Sequence, residues 1–332
     1  MNPLEEKKTL GKTGLEVTRV GLGCAAIGGL YGDIPDEQAY AVVHRALSLG
    51  MNLFDTAPLY GYGKSEMRLG KALAGVPRER FVLATKVGRL LVPKEMGSTD
   101  QDGQWGNPPP VRPRFDFSYD AVMLSFEESL KRLNVDRIDI LHIHDPDNHY
   151  NQAIRGAYPT LDKLRSQGLI RGVSAGMNQS EMLARFAREG DFDCFLLAGR
   201  YSLLEQGALD ELFPLCAKNN IGIMLGGTYN SGILAKELRP GVKYNYADAP
   251  PEILEKARGL QAVASRYNVS LKAAASQFAL AHPVVTTIIP GTRVPERVDE
   301  NLNVLREKIP AEFWTELRAK KLIRPDAPIP KL

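Results

Sequence analysis

The hydrophobic pattern of this chain alternates between two periods along most of its length. Short continuous apolar runs, each four to seven residues long, predict buried strands. Between them lie segments in which apolar residues recur every three or four positions, as in amphipathic helices. Eight strands are predicted, at residues 17–23, 50–55, 80–86, 138–144, 169–174, 194–198, 221–225 and 284–289. Helices are predicted at residues 35–49, 66–74, from 118 onward, 158–167, 180–188, 209–218, 251–267, 271–281, 295–306 and 310–321.

Continuous apolar strands indicate a sheet that is covered on both faces, as parallel sheets are. Eight strand–helix units in 332 residues predict an α/β fold, the (β/α)8 TIM barrel, as a single domain over residues 1–332. A β-hairpin over residues 9–15 precedes the barrel, and the last two helices are additions to it. The alternative is a doubly wound open sheet, which fits less well because no Gly-x-Gly-x-x-Gly opens a helix after the first strand.

One stretch breaks the alternation. Residues 88–116 contain Pro108, Pro109, Pro110 and Pro113 and show little periodicity. Loops this long inside a compact domain are usually functional lids or binding loops. The interpretation is therefore a binding loop over one end of the barrel.

Polar residues close three successive apolar strands. Asp55 ends the second strand, Lys86 ends the third and His144 ends the fourth, while Tyr60 follows in the loop after Asp55. Active sites of (β/α)8 barrels lie at the carboxyl ends of the strands. An acid, an amine, an imidazole and a phenol at that end predict a catalytic site.

Composition narrows the class of protein. Hydrophobic residues make up 44% and charged residues 24%, as in ordinary globular proteins, and the net charge of +3 does not indicate nucleic-acid binding. Cys24, Cys194 and Cys216 are scattered and lack metal-ligand spacing, so reduced thiols in a cytoplasmic protein are expected, without a metal. No signal peptide and no apolar run long enough to span a membrane is expected.

Four motifs, in order along nearly the whole chain, resemble the aldo-keto reductase superfamily. They are 52–61 (Asn-Leu-Phe-Asp-Thr-Ala-Pro-Leu-Tyr-Gly), 84–86 (Ala-Thr-Lys), 139–144 (Asp-Ile-Leu-His-Ile-His) and 289–293 (Ile-Pro-Gly-Thr-Arg) leading to Glu300 and Asn301. The resemblance implies carbonyl–alcohol interconversion with NAD or NADP, and a catalytic tetrad of Asp55, Tyr60, Lys86 and His144.

Within the superfamily, residues 144–147 and 230–234 resemble bacterial aldose 1-dehydrogenases, which oxidise a cyclic hemiacetal to a lactone. Pyridoxal 4-dehydrogenase and NADPH-dependent aldehyde reductase are the alternatives in the same superfamily. A non-catalytic nucleotide-binding subunit is the alternative from another class, and the intact tetrad argues against it. A small-molecule substrate and a monomer or small homo-oligomer are expected.

The chemistry of the tetrad can be argued from its side chains. Removing a proton from a hydroxyl requires a base, and a free phenol, with a pKa of about 10, is a poor one at neutral pH. A neighbouring Lys86 ammonium would favour the phenolate of Tyr60, Asp55 would hold the amine, and His144 would orient the substrate oxygen. The competing interpretation of Asp55 and Lys86 is a structural ion pair at the barrel rim. His142 points to the same face as His144 and is assigned to packing.

Cofactor phosphates bind backbone N–H groups and helix N-termini, which the segments at 231–232 and 291–293 supply. Ordinary turns are the competing interpretation. The resemblance implies a larger set of cofactor contacts: Gly23, Cys24, Asp55, Ser174, Asn178, Ser231, Gly232, Gly291, Thr292, Arg293, Arg297, Glu300 and Asn301.

Three positions depart from the superfamily pattern. Gly291 stands where many members have a lysine for the 2′-phosphate of NADP, which leaves NAD, NADP or both open as the cofactor. Ala175 replaces the usual asparagine, with Asn178 as a possible substitute. Gly226 and Gly227 replace an aromatic residue that stacks on nicotinamide, with Tyr229 as a possible substitute.

Substrate contacts are expected from Tyr60, His144 and aromatic residues of the long loop. Trp105 is the main candidate, because sugars favour aromatic faces flanked by polar groups. The remaining candidates are Tyr31, Arg112, Arg114, Phe115 and Trp314, and loop packing explains each of them equally well.

Overall fold

The computed structural model describes residues 6–100, 102–236, 238–239, 241–245 and 247–331. Eight parallel strands form its central sheet, and seven follow the predicted runs to within three residues at each end. In the order of the sheet they are β3 (Leu22–Gly23), β4 (Leu53–Asp55), β5 (Val82–Val87), β8 (Ile140–His144), β9 (Gly172–Met177), β10 (Cys194–Ala198), β11 (Gly222–Gly226) and β14 (Val285–Ile288). The predicted (β/α)8 fold is confirmed.

The first and last strands of this sheet meet and close the barrel. Val20 forms a parallel bridge with Ile288, the Gly21 N–H donates to the Ile288 carbonyl at 2.9 Å, and the Ile288 N–H donates to the Arg19 carbonyl at 3.1 Å. Closure pairs the edge groups that an open sheet would leave exposed. It also brings the loop after β3 against the loop after β14.

Helices cover the outside of the barrel with their buried apolar faces. They are α1 (Asp36–Ser48), α2 (Lys64–Leu73), α3 (Tyr119–Leu133), α4 (Tyr150–Gln152), α5 (Tyr158–Ser166), α6 (Glu181–Glu189), α7 (Leu212–Asn219), α8 (Pro251–Arg266), α9 (Leu271–Ala281), α10 (Glu296–Asn303) and α11 (Ala311–Ala319). Ser118 caps α3, since its hydroxyl accepts a hydrogen bond from the Ala121 N–H. Gly50 ends the turn after α1 with a φ of 91°. None of the helices in the described ranges is long and apolar enough to cross a membrane.

The amino-terminal hairpin covers the bottom of the barrel. Its strands are β1 (Lys7–Thr9) and β2 (Glu16–Thr18), so the predicted hairpin at 9–15 is mostly the connecting loop, and residues 17–18 belong to the hairpin instead of the first barrel strand. Leu10 and Val17 pack on Leu53 and Ile140 inside the barrel. Burying these side chains favours the hairpin over a longer strand, which would expose them.

Other segments also differ from the prediction. Residues 88–116 are not an unstructured loop, because β6 (Arg89–Pro93) and β7 (Val111–Phe115) pair as an antiparallel ribbon. The fifth barrel strand begins at Gly172 and extends to Met177, since its later residues pair with β10. The helix predicted from 158 starts earlier, with α4 and a π-helical turn over Ala153–Ala157 leading into α5. A small ribbon, β12 (Lys243–Tyr244) with β13 (Ala247–Asp248), lies after β11.

Candidate active site

Asp55 and Lys86 form an ion pair in the upper interior of the barrel. The Lys86 ammonium donates to Asp55 Oδ1 at 2.7 Å and to the Thr56 carbonyl at 2.8 Å. Both side chains are buried, with 1% and 2% of their surface exposed. Burial alone would raise the pKa of Asp55, but the Lys86 ammonium and His142 outweigh it and hold that pKa below its usual value. Asp55 is therefore a carboxylate at neutral pH.

Tyr60 lies beside this pair. The Lys86 Nζ is 4.8 Å from the centre of the Tyr60 ring. The Tyr60 ring also meets His144 edge to face, with ring centres 5.9 Å apart, and Trp105 at 5.8 Å. Four side chains predicted from the sequence, together with Trp105, are thus brought to one place at the carboxyl end of β4, β5 and β8.

His144 is buried and neutral. Burial, followed by the positive charges of Arg89 and Lys86, lowers the pKa of His144 well below its usual value. Its Nδ1 has no hydrogen-bond partner among the described residues. A neutral imidazole can donate one hydrogen bond to a substrate oxygen without bringing a charge.

His142 was assigned to packing, and the structure gives it polar contacts instead. Its Nδ1 is 2.7 Å from the Ser174 hydroxyl, and its Nε2 is 3.2 Å from Asp55 Oδ2, at an angle outside good hydrogen-bond geometry. Burial lowers the pKa of His142 against the opposing effect of Asp55, so the ring is neutral. Two histidines on one strand face the interior, and sequence spacing alone does not show which polar groups each one meets.

A cavity of about 310 Å³ opens above these residues. Its wall combines apolar side chains with several polar ones, which suits a small polar substrate. The lining residues include Leu30, Leu59, Tyr60, Lys86, Arg89, Gln104, Trp105, His144, Asp145, Asp147, Met177, Asn178 and Leu196. Arg89 and Asp145 were not predicted as site residues. Asp145 directly follows the end of β8 and belongs to the segment 144–147 noted in the sequence, while Arg89 lies two residues beyond the end of β5.

The other substrate candidates lie away from this wall. Trp314 packs in the core against Phe313 and Phe278. Arg112 pairs with Asp102 and lies over the Tyr62 ring, while Phe115 stacks on Phe117. These contacts are packing within the loop and the helices, in line with the competing interpretation. Arg114 lies near Asp116, and Tyr31 is 54% exposed.

The predicted cofactor segments lie together on the rim, beside β11 and β14. The Tyr229 hydroxyl is 2.9 Å from Ser276 Oγ and 3.4 Å from Asn301 Oδ1, which joins the loop after β11 to α10. Glu300 pairs with Lys272 at 3.2 Å, and Arg297 is exposed in the first turn of α10. Tyr229 is not among the residues that line the cavity above the tetrad.

Two glycines, Gly23 and Gly291, lie where the barrel closes, and neither position has room for a side chain. A Cβ on Gly23 would lie 2.6 Å from the Ile289 carbonyl oxygen, and a Cβ on Gly291 would lie 2.9 Å from the Gly23 carbonyl oxygen. A lysine at 291 would therefore require the backbone to shift. The buried Thr228 hydroxyl, in the loop after β11, lacks a partner within the described residues. A dinucleotide could bind here, because the site offers backbone without side chains, an unpaired hydroxyl and the N-terminus of α10.

Several predicted contacts are less accessible than expected. The Cys24 side chain is fully buried, so only its backbone is near the rim, and its N–H donates to the Asp55 carbonyl at 2.8 Å. Ser174 is also fully buried and bonds to His142.

Asn178, two residues beyond Gly176, lines the cavity. Thr292 Oγ1 accepts from the Val294 N–H, and Arg293 is 3.4 Å from the Gly32 carbonyl. Ser231 and Gly232 follow β11 with positive φ angles of 59° and 95°.

The closed (β/α)8 barrel places a buried Asp–Lys pair, a tyrosine and a neutral imidazole together at its carboxyl end, which is where the active sites of barrel enzymes lie. Residues 19–321 match the Aldo/keto reductase family. The chain belongs to this family and is an NAD(P)-dependent oxidoreductase.

Individual relatives cover almost the whole chain. Pyridoxal 4-dehydrogenase of Microbacterium luteolum is 41% identical, over 96% of this chain and 98% of that protein. D-threo-aldose 1-dehydrogenase of Pseudomonas sp is 38% identical, over 93% of this chain and 96% of that protein. The structure of an aldo-keto reductase from Bacillus halodurans, in its holo form, aligns with a TM-score of 0.77 at 24% identity, over 96% of each chain.

Proposed function

We propose that this protein oxidises C1 of a cyclic aldose to the lactone. Two things support the aldose: a D-threo-aldose 1-dehydrogenase that is 38% identical, and a cavity whose polar wall adjoins the tetrad. The observation that carries the proposal is the position of the Lys86 Nζ, 4.8 Å from the Tyr60 ring centre, in a cavity that both residues share with His144.

In this proposal Tyr60 accepts the proton of the C1 hydroxyl. The Lys86 ammonium stabilises the phenolate, and Asp55 keeps the ammonium in place through the 2.7 Å contact. His144 donates a hydrogen bond to the reacting oxygen and fixes its position. The nicotinamide, when bound, supplies the hydride acceptor. Trp105 and Tyr60 form the aromatic part of the sugar site.

Contacts to the dinucleotide are proposed from the rim segments. The loop after β14, with Gly291, Thr292 and Arg293, and the loop after β11, with Ser231 and Gly232, would hold the phosphates. Arg297, Glu300 and Asn301 on α10 would hold the adenosine half. Asn178 is better placed than Ser174 to reach the carboxamide, because it lines the cavity. Gly23 and the Cys24 backbone would form the floor beneath the nicotinamide.

Pyridoxal is the second candidate substrate. The 41% identity to a pyridoxal 4-dehydrogenase favours it, and pyridoxal also forms a cyclic hemiacetal whose oxidation gives a lactone. The same four side chains would perform that reaction. The two candidates therefore differ in the substrate and agree in the chemistry.

The test is a substrate panel. Purified protein is mixed with NAD or NADP and with aldoses, pyridoxal or simple aldehydes, while the absorbance of the reduced cofactor is followed. We expect turnover of at least one aldose with lactone as the product, and none in Lys86→Met, which keeps most of the length of the side chain but lacks the charge. Turnover of pyridoxal alone would move the assignment to the second candidate. Binding of neither nucleotide would contradict both.

A further inference from the structure

Arg89 and Asp145 form an ion pair in the wall of the substrate cavity. The Arg89 guanidinium donates from Nη2 to Asp145 Oδ2 at 2.9 Å, and both residues line the cavity with Tyr60 and His144. Their side chains are 11% and 15% exposed, so they reach the cavity but are mostly shielded from bulk water. Charged groups shielded in this way form stronger hydrogen bonds than exposed ones.

Rigid surroundings fix the position of each partner. Arg89 begins the β6 ribbon, and the carbon atom Cζ of its guanidinium lies 4.8 Å from the centre of the Phe115 ring. Asp145 directly follows His144 and has a φ of 41°, in the left-handed region that non-glycine residues seldom adopt. Its N–H donates to the Gly176 carbonyl at 3.0 Å. Unfavourable backbone conformations held by such contacts are typical of functional sites.

The carboxylate of Asp145 retains capacity to accept hydrogen bonds. Its Oδ1 receives a long contact, 3.4 Å, from the Asn178 side-chain amide, and an ionised carboxylate can accept about four hydrogen bonds. Burial raises the pKa of Asp145, against the opposing charge of Arg89. A hydroxyl group that donated to this carboxylate would offset part of that cost of burial.

The distance to His144 indicates where such a hydroxyl would lie. His144 Nε2 is 3.6 Å from Asp145 Oδ2, which is too long for a hydrogen bond. An oxygen bound at His144 Nε2 therefore has the Asp145 carboxylate as its neighbour. In an aldose the oxygen next to the C1 oxygen along the carbon chain is the C2 hydroxyl, which can donate to Asp145 and accept from Arg89.

We propose that Arg89 and Asp145 are specificity-determining residues that bind the hydroxyl on the carbon next to the reacting carbon. This inference rests on the proposed aldose dehydrogenase function. It commits the substrate class to 2-hydroxy hemiacetals and disfavours 2-deoxy sugars. A purely structural pair would hold the β6 ribbon against the barrel and would not discriminate between sugars at C2.

The experiment compares each aldose with its 2-deoxy counterpart. D-glucose, D-galactose and D-ribose are assayed against 2-deoxy-D-glucose, 2-deoxy-D-galactose and 2-deoxy-D-ribose, and the ratio of the two kcat/KM values is recorded. Because each ratio comes from one preparation, it does not depend on the fraction of protein that is folded. We expect the wild-type ratio to favour the 2-hydroxy sugar about 10- to 100-fold, the effect of hydrogen bonds to charged groups.

Variants test whether the Arg89–Asp145 pair causes this ratio of kcat/KM values. Asp145→Asn keeps the shape of the side chain and is expected to bring the ratio towards one. The double variant Arg89→Gln with Asp145→Asn leaves neither charge unpaired and is expected to do the same, which covers the case in which the single variant folds poorly. Asp162→Asn removes an equivalent charge from a pair with Arg165 on α5 and should keep the wild-type ratio.

The failures can be told apart. If no aldose is turned over, the proposed function is wrong and this inference fails with it. If aldoses are turned over but the wild-type ratio is near one, or if it stays at the wild-type value in both Asp145 variants, this inference alone is overturned.

Discussion

The Lys86 ammonium donates to Asp55 Oδ1 at 2.7 Å, in a part of the barrel from which both side chains are almost completely removed from solvent. A buried pair of this kind adds little net stability, since desolvation offsets most of the attraction. In the proposed mechanism, the pair fixes a positive charge beside the Tyr60 ring. The two residues come from different strands, β4 and β5, so the closed barrel itself sets their separation.

Breaking this pair should destabilise the fold. Asp55→Asn leaves the Lys86 charge buried without its counter-charge, facing only neutral acceptors such as the Thr56 carbonyl, and we expect the free energy of unfolding to fall by about 3 kcal/mol. Urea unfolding followed by circular dichroism measures the change. The double variant Asp55→Asn with Lys86→Met removes both charges and should recover most of the loss. A double variant as unstable as the single one would show that the charges do not cause it.

The imidazole of His144 should act without titrating in the working pH range. Its pKa is lowered well below the usual value, so the ring stays neutral as the pH falls from 8 to about 6. His144→Leu is expected to lower kcat/KM roughly 100-fold, as the loss of one positioned donor does. The remaining pH profile should keep its shape. If the wild type shows an ionisation near pH 6.5 that the variant lacks, His144 is protonated during turnover.

His282, at the opposite end of the barrel from the site, should make stability depend on pH. Burial and the charge of Lys8 lower its pKa to about 4. Between pH 6.5 and 4 the unfolded chain therefore binds a proton that the folded chain does not, so this contribution to stability is complete above pH 6.5 and is lost as the pH falls.

Removing the imidazole tests this prediction. His282→Gln should reduce the drop in the free energy of unfolding between pH 7 and pH 4.5 by roughly 1–2 kcal/mol, a value discounted for partial exposure. Urea unfolding at the two pH values measures the drop in each protein. An equal drop in the variant and the wild type would mean that His282 titrates normally in the fold.

The hydrophobic pattern predicted the barrel because the strands are buried on both faces, so each reads as an uninterrupted apolar run. The β6–β7 ribbon could not be recognised in this way. Its strands place Arg89, Pro93, Arg112 and Pro113 among a few apolar residues, and 17 residues separate them. The predicted first strand, residues 17–23, is longer than β3, because Val17 is as apolar as a barrel residue but belongs to the hairpin.

The meeting of these four side chains at one end of the barrel was predictable, because Asp55, Lys86 and His144 lie at the carboxyl ends of consecutive barrel strands and Tyr60 lies in the loop after Asp55. The wall of the cavity was not, because it depends on contacts between distant segments. Arg89 meets Asp145 from 56 positions away, and Trp105 is placed by its bridge to Leu30. The polar contacts of His142 also depend on distant segments. Strand alternation shows which face of the sheet His142 lies on, but only the fold shows that Ser174 and Asp55 are its partners.

The proposed mechanism depends most on Tyr60 as the group that exchanges the proton. The direct test is the kcat of Tyr60→Phe for the best substrate of the panel, with the dissociation constant of the nucleotide measured on the same preparation by fluorescence quenching. We expect kcat to fall by about 10²- to 10⁴-fold, the usual contribution of a positioned acid–base group, while nucleotide affinity stays close to the wild-type value. A variant that retains near-normal kcat would contradict the assignment of Tyr60 and the mechanism built on it.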